Sequence, residues 1–165
     1  MRIWLTTLLT YLSFNNTPLL AVTHNDSFFN NYNYIAKNYN KGRPDYPPEA
    51  TSILISALEL KPNLCVLDLA AGTGKLTKAL KHIGTNLCAV EPAAEMRAIF
   101  SEQFPEIPIF DGRAEAIPLQ QNAVDAVVVG SAFHWFDGEK ALTEIARVLK
   151  PLGRLGLISM FLMGK

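Results

Sequence analysis

The sequence predicts an α/β fold in which helices cover both faces of an open, doubly wound parallel sheet. From residue 46 onward, short apolar runs alternate with segments of helical spacing, and this order is typical of parallel sheets. Hydrophobic residues make up 49% of the 165 residues, which is enough for the core of one domain. Because parallel crossovers are right-handed, the helices are expected on both sides of the sheet.

The helices are predicted from their start and stop signals. Pro47 begins the first helix, since proline suits a first turn. Gly84 is a residue that commonly stops a helix, and Pro105 ends the third helix because proline cannot continue one. The predicted helices cover residues 47–60, 75–83, 93–104 and 138–150.

Five short apolar runs are predicted as the strands of the sheet. Strands that helices cover on both faces are near-continuous hydrophobic runs, and residues 64–69 (LCVLDL) are the first example. In such sheets a ligand lies at the carboxyl ends of the strands, near the point where the strand order reverses. The predicted strands cover residues 64–69, 87–90, 107–110, 124–129 and 154–161.

The charge balance argues against a nucleic-acid partner. Lys and Arg together number 15, as do Asp and Glu, so the chain has no net field that would attract a polyanion. The sequence also contains no basic run or stripe of the kind that contacts phosphates. No nucleic-acid partner is therefore expected.

The N-terminal residues 1–25 are predicted as an extension or a signal segment outside the domain of residues 26–165. Residues 3–14 resemble the apolar region of a signal peptide, but three threonines dilute them and a clear small-x-small cleavage site is missing. The segment is too short to span a bilayer. The protein is expected in the cytoplasm, or outside the cell if the segment is a signal.

The two cysteines also bear on whether the protein is cytoplasmic or secreted. Cys65 lies three residues before Asp68, and Cys88 lies three residues before Glu91. If both acids mark the ends of neighbouring strands, the cysteines lie side by side, about 4.8 Å apart. The Cβ vectors of directly adjacent strands are poorly oriented for a disulfide. Both thiols are therefore expected to be reduced, which fits the cytoplasm better than secretion.

A run of small residues follows the acid that ends the first strand. Asp68 precedes the loop Ala70-Ala71-Gly72-Thr73-Gly74, and a backbone this bare lets a ligand come close. The G-x-G-x-x-G pattern of dinucleotide sites fails at Ala70 and Lys75, and the P-loop pattern fails because Leu76 follows the lysine. The loop is therefore not built for a diphosphate.

A second acid indicates what kind of ligand the loop binds, once a diphosphate is excluded. Glu91 ends the second predicted strand, about one strand–helix unit after Asp68. An acid at that position can accept hydrogen bonds from both hydroxyls of a ribose. The two acids with the loop between them predict a nucleoside that has free ribose hydroxyls and carries no diphosphate.

These segments together resemble the class I S-adenosylmethionine-dependent methyltransferases of the small-molecule, type 11 kind, which have a Rossmann-like sheet. The first motif of that family corresponds to Asp68 through Gly74, with Ala70 in place of its first glycine; we expect Ala70 to keep a negative φ, so that its methyl group is tolerated. The other matching segments are residues 90–92, residues 111–118 beside the adenine, residues 125–135 with the active-site loop, and an arm of Tyr39 with residues 42–47 that lies over the cofactor.

The resemblance implies that the chain binds S-adenosyl-L-methionine and transfers its methyl group to a small-molecule acceptor, with no metal. Positioning supplies much of the rate in such a transfer, and a base is needed only if the acceptor loses a proton. His134 is a candidate base, although a structural or cofactor-packing role is favoured for it. The cofactor-binding residues that the resemblance implies are Asp68, Ala70, Gly72, Gly74, Glu91, Pro92, Ala114, Glu115, Ser131, Trp135 and Arg43.

The resemblance also raises the question of completeness. The family's sheet normally has seven strands, and the five predicted here lack the terminal antiparallel pair. The fifth strand is then expected to be an open apolar edge through which another chain associates. Two alternatives to an active methyltransferase stay open, a catalytically incomplete cofactor-binding fragment and a generic nucleoside-binding module.

Overall fold

The computed structural model describes residues 45–159, which form a five-stranded sheet flanked by four helices. The predicted N-terminal segment of residues 1–25 and Arg43 of the predicted arm lie outside the described residues. The helices are α1 (Pro48–Leu58), α2 (Lys75–Leu80), α3 (Ala94–Gln103) and α4 (Gly138–Val148), with short 3-10 turns at Lys81–Ile83 and Phe133–Trp135. The strands are β1 (Cys65–Leu69), β2 (Asn86–Val90), β3 (Ile109–Phe110), β4 (Val124–Gly130) and β5 (Leu149–Ile158).

The strand order confirms the predicted doubly wound fold. The sheet runs β3-β2-β1-β4-β5, and every pair of neighbouring strands is parallel. The chain therefore moves outward from β1 to β3, returns to the centre, and continues through β4 to β5. The direction reverses between β1 and β4, and at such a switch point a ligand is expected to bind at the carboxyl edge of the sheet.

Apolar residues cover the sheet on both faces. Successive residues of β1 point to opposite sides, so that Val66 belongs to one core cluster and Leu67 to the other. On one face α1, α2 and α3 contribute Leu54, Leu58, Leu80 and Phe100, whereas on the other face α4 contributes Ala141, Ile145 and Val148. Burial on both faces explains why the strands are continuous apolar runs. None of the helices within residues 45–159 is long and apolar enough to cross a membrane.

The helix boundaries follow the predicted signals. Proline occupies the first positions of α1, and Glu59 ends that helix in a left-handed conformation with φ of 51°. The turn after α2 stops at Gly84, whose φ is 79°, as the sequence predicts. Asp137 caps α4, because its carboxylate accepts a hydrogen bond of 3.4 Å from the backbone N–H of Lys140.

Two strands begin two or more residues away from their predicted starts. β3 begins at Ile109 rather than at residue 107, because the N–H of Ile107 donates to the Phe104 carbonyl at the end of α3. β5 begins at Leu149 rather than at residue 154. Leu149 pairs with residue 124 of β4, and the register then shifts before Arg154 pairs with residue 126, so a bulge containing proline separates the two paired stretches.

That bulge holds a leucine in a conformation that suits glycine. Leu152 is 96% exposed and has a φ of 69°, a region that costs an L-residue about 1–2 kcal/mol. We expect Leu152→Gly to raise the free energy of unfolding by about 0.5–1 kcal/mol in urea denaturation, after the entropy cost of glycine. Leu142→Gly is the matched control, because this half-exposed leucine lies inside α4 and its replacement is expected to destabilise by about 1 kcal/mol. A loss of stability at both positions would contradict the interpretation of strain.

The strand register corrects the predicted arrangement of the cysteines. Asp68 lies opposite Ala89, not Glu91, so that Cys88 lies opposite Leu67 and the two cysteines are offset along the strands. The prediction was wrong because Glu91 lies one residue beyond the end of β2. Both cysteines are free thiols in the described structure, and burial raises the pKa of Cys88 to about 11.

Candidate functional site

The loop after β1 turns the chain sharply into α2. Ala70, Gly72 and Gly74 all have positive φ, of 57°, 58° and 89°. Ala71 closes the turn, because it donates to the Val90 carbonyl at 3.1 Å and accepts from the N–H of Gly74 at 2.9 Å. The expectation of a negative φ at Ala70 was therefore wrong. Residues in the left-handed conformation alternate along the turn. Ala70 occupies one of these positions at an energy cost that a glycine would avoid.

The two glycines of this loop have different surroundings. A Cβ atom on Gly72 would meet no atom within 4 Å, so the loop is open to a ligand there. A Cβ atom on Gly74 would lie 2.5 Å from Cε2 of Phe104 and 2.9 Å from Cδ2 of Phe100. Gly74 thus lets α2 begin against the aromatic residues at the end of α3, a packing reason that the sequence analysis missed.

Asp68 is a buried carboxylate with one unpaired oxygen. It is 1% exposed, and its Oδ2 accepts a hydrogen bond of 2.6 Å from the hydroxyl of Thr77 in α2. Its Oδ1 is buried and has no partner within the described structure. Burial raises the pKa of Asp68 to about 6, and the hydrogen bonds from Thr77 partly oppose the shift. Thr77 was not predicted as part of the site; its polar side chain on the buried face of α2 is the signal that could have identified it.

Glu91 joins the glycine loop to the end of β2. Its Oε2 accepts from the N–H of Gly72 at 2.9 Å, and its Oε1 accepts from the N–H of Ala93 at 3.0 Å. Glu91 is 7% exposed, and burial raises its pKa while these two N–H groups oppose the shift. The backbone therefore fixes the plane of the carboxylate. Each oxygen keeps the capacity to accept another hydrogen bond.

Arg97 orders the chain that follows Glu91. Its Nη1 donates to the carbonyls of Glu91 and Pro92, at 2.9 and 2.7 Å, and forms an ion pair of 3.0 Å with Asp111. The guanidinium of α3 thereby connects the carboxyl ends of β2 and β3. Sequence analysis missed this residue, because carbonyl contacts of this kind leave no pattern in the sequence.

The segment between β3 and β4 is held close to the sheet. Ala114 is buried in the same core cluster as Leu67 and Leu69. Glu115 accepts a hydrogen bond of 2.9 Å from the N–H of Asp137, which caps α4. The carboxylate of Glu115 is thus engaged in fixing its own loop to the start of α4.

A tyrosine from the chain ahead of α1 reaches the end of β4. The hydroxyl of Tyr46 lies 3.3 Å from Oγ of Ser131, and both residues are 8% exposed. A Cβ atom on Gly130 would lie 2.6 Å from the same hydroxyl, so the glycine leaves room for the tyrosine. Ser131 has a φ of 54°, and its N–H donates to the Ile158 carbonyl of β5. Tyr46 therefore places the start of the described chain against the switch point.

His134 and Trp135 lie in the 3-10 turn after Ser131. Their ring centroids are 4.5 Å apart, with His134 exposed and Trp135 half-buried. This turn follows the carboxyl end of β4, on the same edge of the sheet as the glycine loop. Within residues 45–159 no group of three or more His, Cys, Asp or Glu side chains is arranged to hold a metal ion.

Asp68, Gly72 and Glu91 thus meet at the carboxyl edge, with Ser131 on the other side of the switch point. A family model described as a methyltransferase domain, of type 11, matches residues 67–157. The chain belongs to this methyltransferase family. The matched region begins within β1 and ends within β5, so it contains each of these site residues.

The methyltransferase relatives include proteins of known sequence and of known structure. An uncharacterised methyltransferase of Mycobacterium tuberculosis is 48% identical over 120 residues, which cover 73% of this chain and 48% of the relative. The crystal structure of a putative S-adenosyl-L-methionine-dependent methyltransferase from Methanococcus maripaludis has the same fold, with a TM-score of 0.64, 24% identity, and coverage of 87% and 68%. A putative methyltransferase from an antibiotic biosynthesis pathway of Anabaena variabilis has a TM-score of 0.61 and 32% identity, and the coverage is 70% and 46%. The chain spans about half the length of the curated relatives that it matches.

Proposed function

We propose that this methyltransferase domain binds S-adenosyl-L-methionine and transfers its methyl group to a small-molecule acceptor. The observation that carries the proposal is the buried carboxylate of Glu91, which Gly72 and Ala93 hold beside open space above the loop. A carboxylate fixed in this way is prepared to accept hydrogen bonds from two neighbouring hydroxyls of a ribose. Such a site fits a nucleoside better than a diphosphate.

The described residues fit the cofactor in three respects. Glu91 keeps acceptor capacity on both oxygens for ribose hydroxyls. The absence of a side chain on Gly72 leaves room for close approach to the backbone. The unpaired oxygen of Asp68 provides negative charge near the loop, which favours the cationic groups of the cofactor's methionine part. Pro92, Ala114, Trp135 and Arg43 are proposed as further contacts.

The residues of the chain act mainly by binding and orientation. When bound, S-adenosyl-L-methionine supplies a methyl group that its sulfonium activates. Glu91 and the glycine loop hold the nucleoside, and the charge of Asp68 is directed at the cationic end. Orienting two reactants in this way removes much of the entropy cost of the reaction. His134 is the proposed base for an acceptor that must lose a proton.

The small-molecule acceptor and the cytoplasm are proposed on physical grounds. The equal numbers of acidic and basic residues give no general attraction for nucleic acid. The two cysteines are free thiols, which fits a reducing compartment. Within residues 45–159, β5 is paired with β4 alone. We propose its free edge as the surface for association, because an unpaired strand edge can pair with another chain.

Replacement of Glu91 tests the proposal. Glu91→Ala is expected to weaken binding of S-adenosylhomocysteine by about 1.5–3 kcal/mol, because the substitution removes the charged carboxylate that accepts hydrogen bonds from the ribose. Isothermal titration calorimetry measures the change, with circular dichroism as the check of folding. Glu95→Ala is the matched control, because Glu95 is an exposed acid in the first turn of α3, and it is expected to leave affinity unchanged.

The same titrations distinguish the alternatives. Equal affinity in the wild type and in Glu91→Ala would reject the ribose contact. Displacement of S-adenosylhomocysteine by NAD at equal concentration would instead indicate a generic nucleoside-binding module. Tight binding of the cofactor without turnover across a set of small-molecule acceptors would support the catalytically incomplete alternative.

A further inference from the structure

A charged pair on α4 holds the loop between β3 and β4 by its backbone. Nη1 of Arg147 donates to the Leu119 carbonyl at 2.7 Å, and Nη2 donates to the Ile117 carbonyl at 2.8 Å. Glu144 completes the contact, because its Oε2 accepts from the N–H of Ile117 at 2.8 Å. Both backbone polar groups of Ile117 are therefore bound to side chains of α4.

The two charged residues also fix one another. Arg147 Nε lies 2.6 Å from Oε1 of Glu144, and Nη2 lies 2.7 Å from Oε2. This is the fork-to-fork geometry that a planar guanidinium forms with a carboxylate, and a lysine cannot reproduce it. The hydrogen bonds from Arg147 hold the pKa of Glu144 below its ordinary value. The pair therefore presents a preformed set of donors and acceptors to the loop.

The loop that this pair holds forms part of the proposed cofactor site. Glu115 lies two residues before Ile117, and its carboxylate accepts from the N–H of Asp137 at the start of α4. Helix α4 therefore fixes the loop at two points, one at its N-cap, Asp137, and one at Glu144 and Arg147 near its end. Within the same loop, the N–H of Ala116 donates to the Arg113 carbonyl at 3.0 Å and closes a turn over residues 113–116.

Packing connects the held part of the loop to β2. A Cβ atom on Gly112 would lie 2.5 Å from Cδ of Pro118 and 3.2 Å from Cγ1 of Val90. Gly112 is thus enclosed between the proline next to Ile117 and the last residue of β2, which directly precedes Glu91. A displacement of Ile117 would move the proline against this contact.

We infer that Glu144 and Arg147 are positioning residues that set the base selectivity of the proposed nucleoside site. The inference rests on the proposed function and on the expectation, which the resemblance implies, that residues 111–118 border the adenine. A site that recognises a base edge by hydrogen bonds rejects an altered edge strongly, because its buried polar groups are then left unpaired. A displacement of the loop would misalign those hydrogen bonds, which weaken steeply as their geometry departs from the ideal. Loss of the pair formed by Glu144 and Arg147 therefore weakens binding of the adenine ligand more than binding of a ligand whose base edge does not match the site.

The test compares two ligands that differ only in the base. Affinities for S-adenosylhomocysteine and S-inosylhomocysteine are measured by calorimetry in the wild type and in Arg147→Met, well below the melting temperature of each. We expect the wild type to prefer the adenine ligand, and Arg147→Met to reduce that preference about tenfold. Arg154→Met is the matched control: Arg154 also forms an ion pair, with Glu59, but on β5 and away from the loop. Its preference is expected to equal that of the wild type.

A purely structural role predicts a different result, because general destabilisation weakens both ligands equally and leaves their ratio unchanged. If Arg147→Met does not fold, Glu144→Gln provides the same measurement, with a smaller expected loss of preference. An unchanged ratio in a folded variant that still binds S-adenosylhomocysteine overturns the inference and leaves the proposed function intact. Failure of the wild type to bind S-adenosylhomocysteine overturns both.

Discussion

Gly74→Ala is expected to lower the free energy of unfolding by about 3 kcal/mol. The added methyl group would lie 2.5 Å from Phe104 and 2.9 Å from Phe100, and both rings are buried and cannot retreat without a cost. Overpacking of this kind costs about 1–3 kcal/mol, and the φ of 89° adds about 1–2 kcal/mol for a residue with a side chain. Urea denaturation with an unchanged m-value would measure the effect.

Gly72→Ala provides the matched comparison. Its added Cβ would meet no atom within 4 Å, and its φ is 58°, so only the backbone term of about 1–2 kcal/mol applies. The new methyl group would instead occupy the open space above the loop, and binding of S-adenosylhomocysteine is expected to fall about tenfold, since a clash prevents close approach. Equal destabilisation by the two variants would contradict the different roles assigned to the two glycines.

Asp68→Asn is expected to raise the free energy of unfolding by about 3 kcal/mol at pH 7.5. Burial raises the pKa of Asp68 from 3.8 to about 6, so the folded protein holds this proton more tightly than the unfolded chain does. The favourable contribution is complete below about pH 4 and is lost as the pH rises through about 6. Above that pH the buried carboxylate is ionised, at a cost of about 1.4 kcal/mol for each pKa unit of the shift. Asparagine cannot ionise, so the variant escapes this cost.

The measurement is the difference in stability between Asp68→Asn and the wild type at several pH values. The two proteins are expected to be nearly equal at pH 4 and to diverge up to about pH 6–7. Asp45→Asn is a control for which the pH dependence of the stability difference is expected to have the opposite sign. Hydrogen bonds from Lys78 and Lys75 lower the pKa of this exposed aspartate. A difference between Asp68→Asn and the wild type that does not vary with pH would refute the account.

Asp68→Asn is also expected to bind S-adenosyl-L-methionine more weakly. The variant lacks the negative charge that the proposed site directs at the cationic methionine part of the cofactor. Retention of a buried carboxylate at a net cost is typical of functional sites. Increased stability together with unchanged cofactor affinity would show that Asp68 serves some other purpose.

The order of the structural elements was predictable because its signals are local. Apolar runs mark buried strands wherever they occur, and Gly84 stops its helix through its own backbone freedom. The location of the candidate site was also predictable: parallel strands place their carboxyl ends on one edge, so Asp68 and Glu91 had to approach one another once both were recognised as strand ends. Strand bounds were less predictable, since the register shift that starts β5 early depends on its pairing with β4.

Only the tertiary structure decided what each side chain does at that edge. Gly72 and Gly74 look alike in the sequence, but the first faces open space and the second faces the rings of α3. The hydrogen-bond partner of Asp68 is a threonine on α2. Arg147 donates hydrogen bonds to backbone carbonyl groups, which every residue possesses and which therefore give no signal in the sequence. These contacts depend on register and on packing between distant segments, whereas propensity and periodicity report only on neighbours along the chain. The sequence by itself therefore determined the fold and the edge of the sheet where the candidate site lies, and packing determined how that edge is held in place.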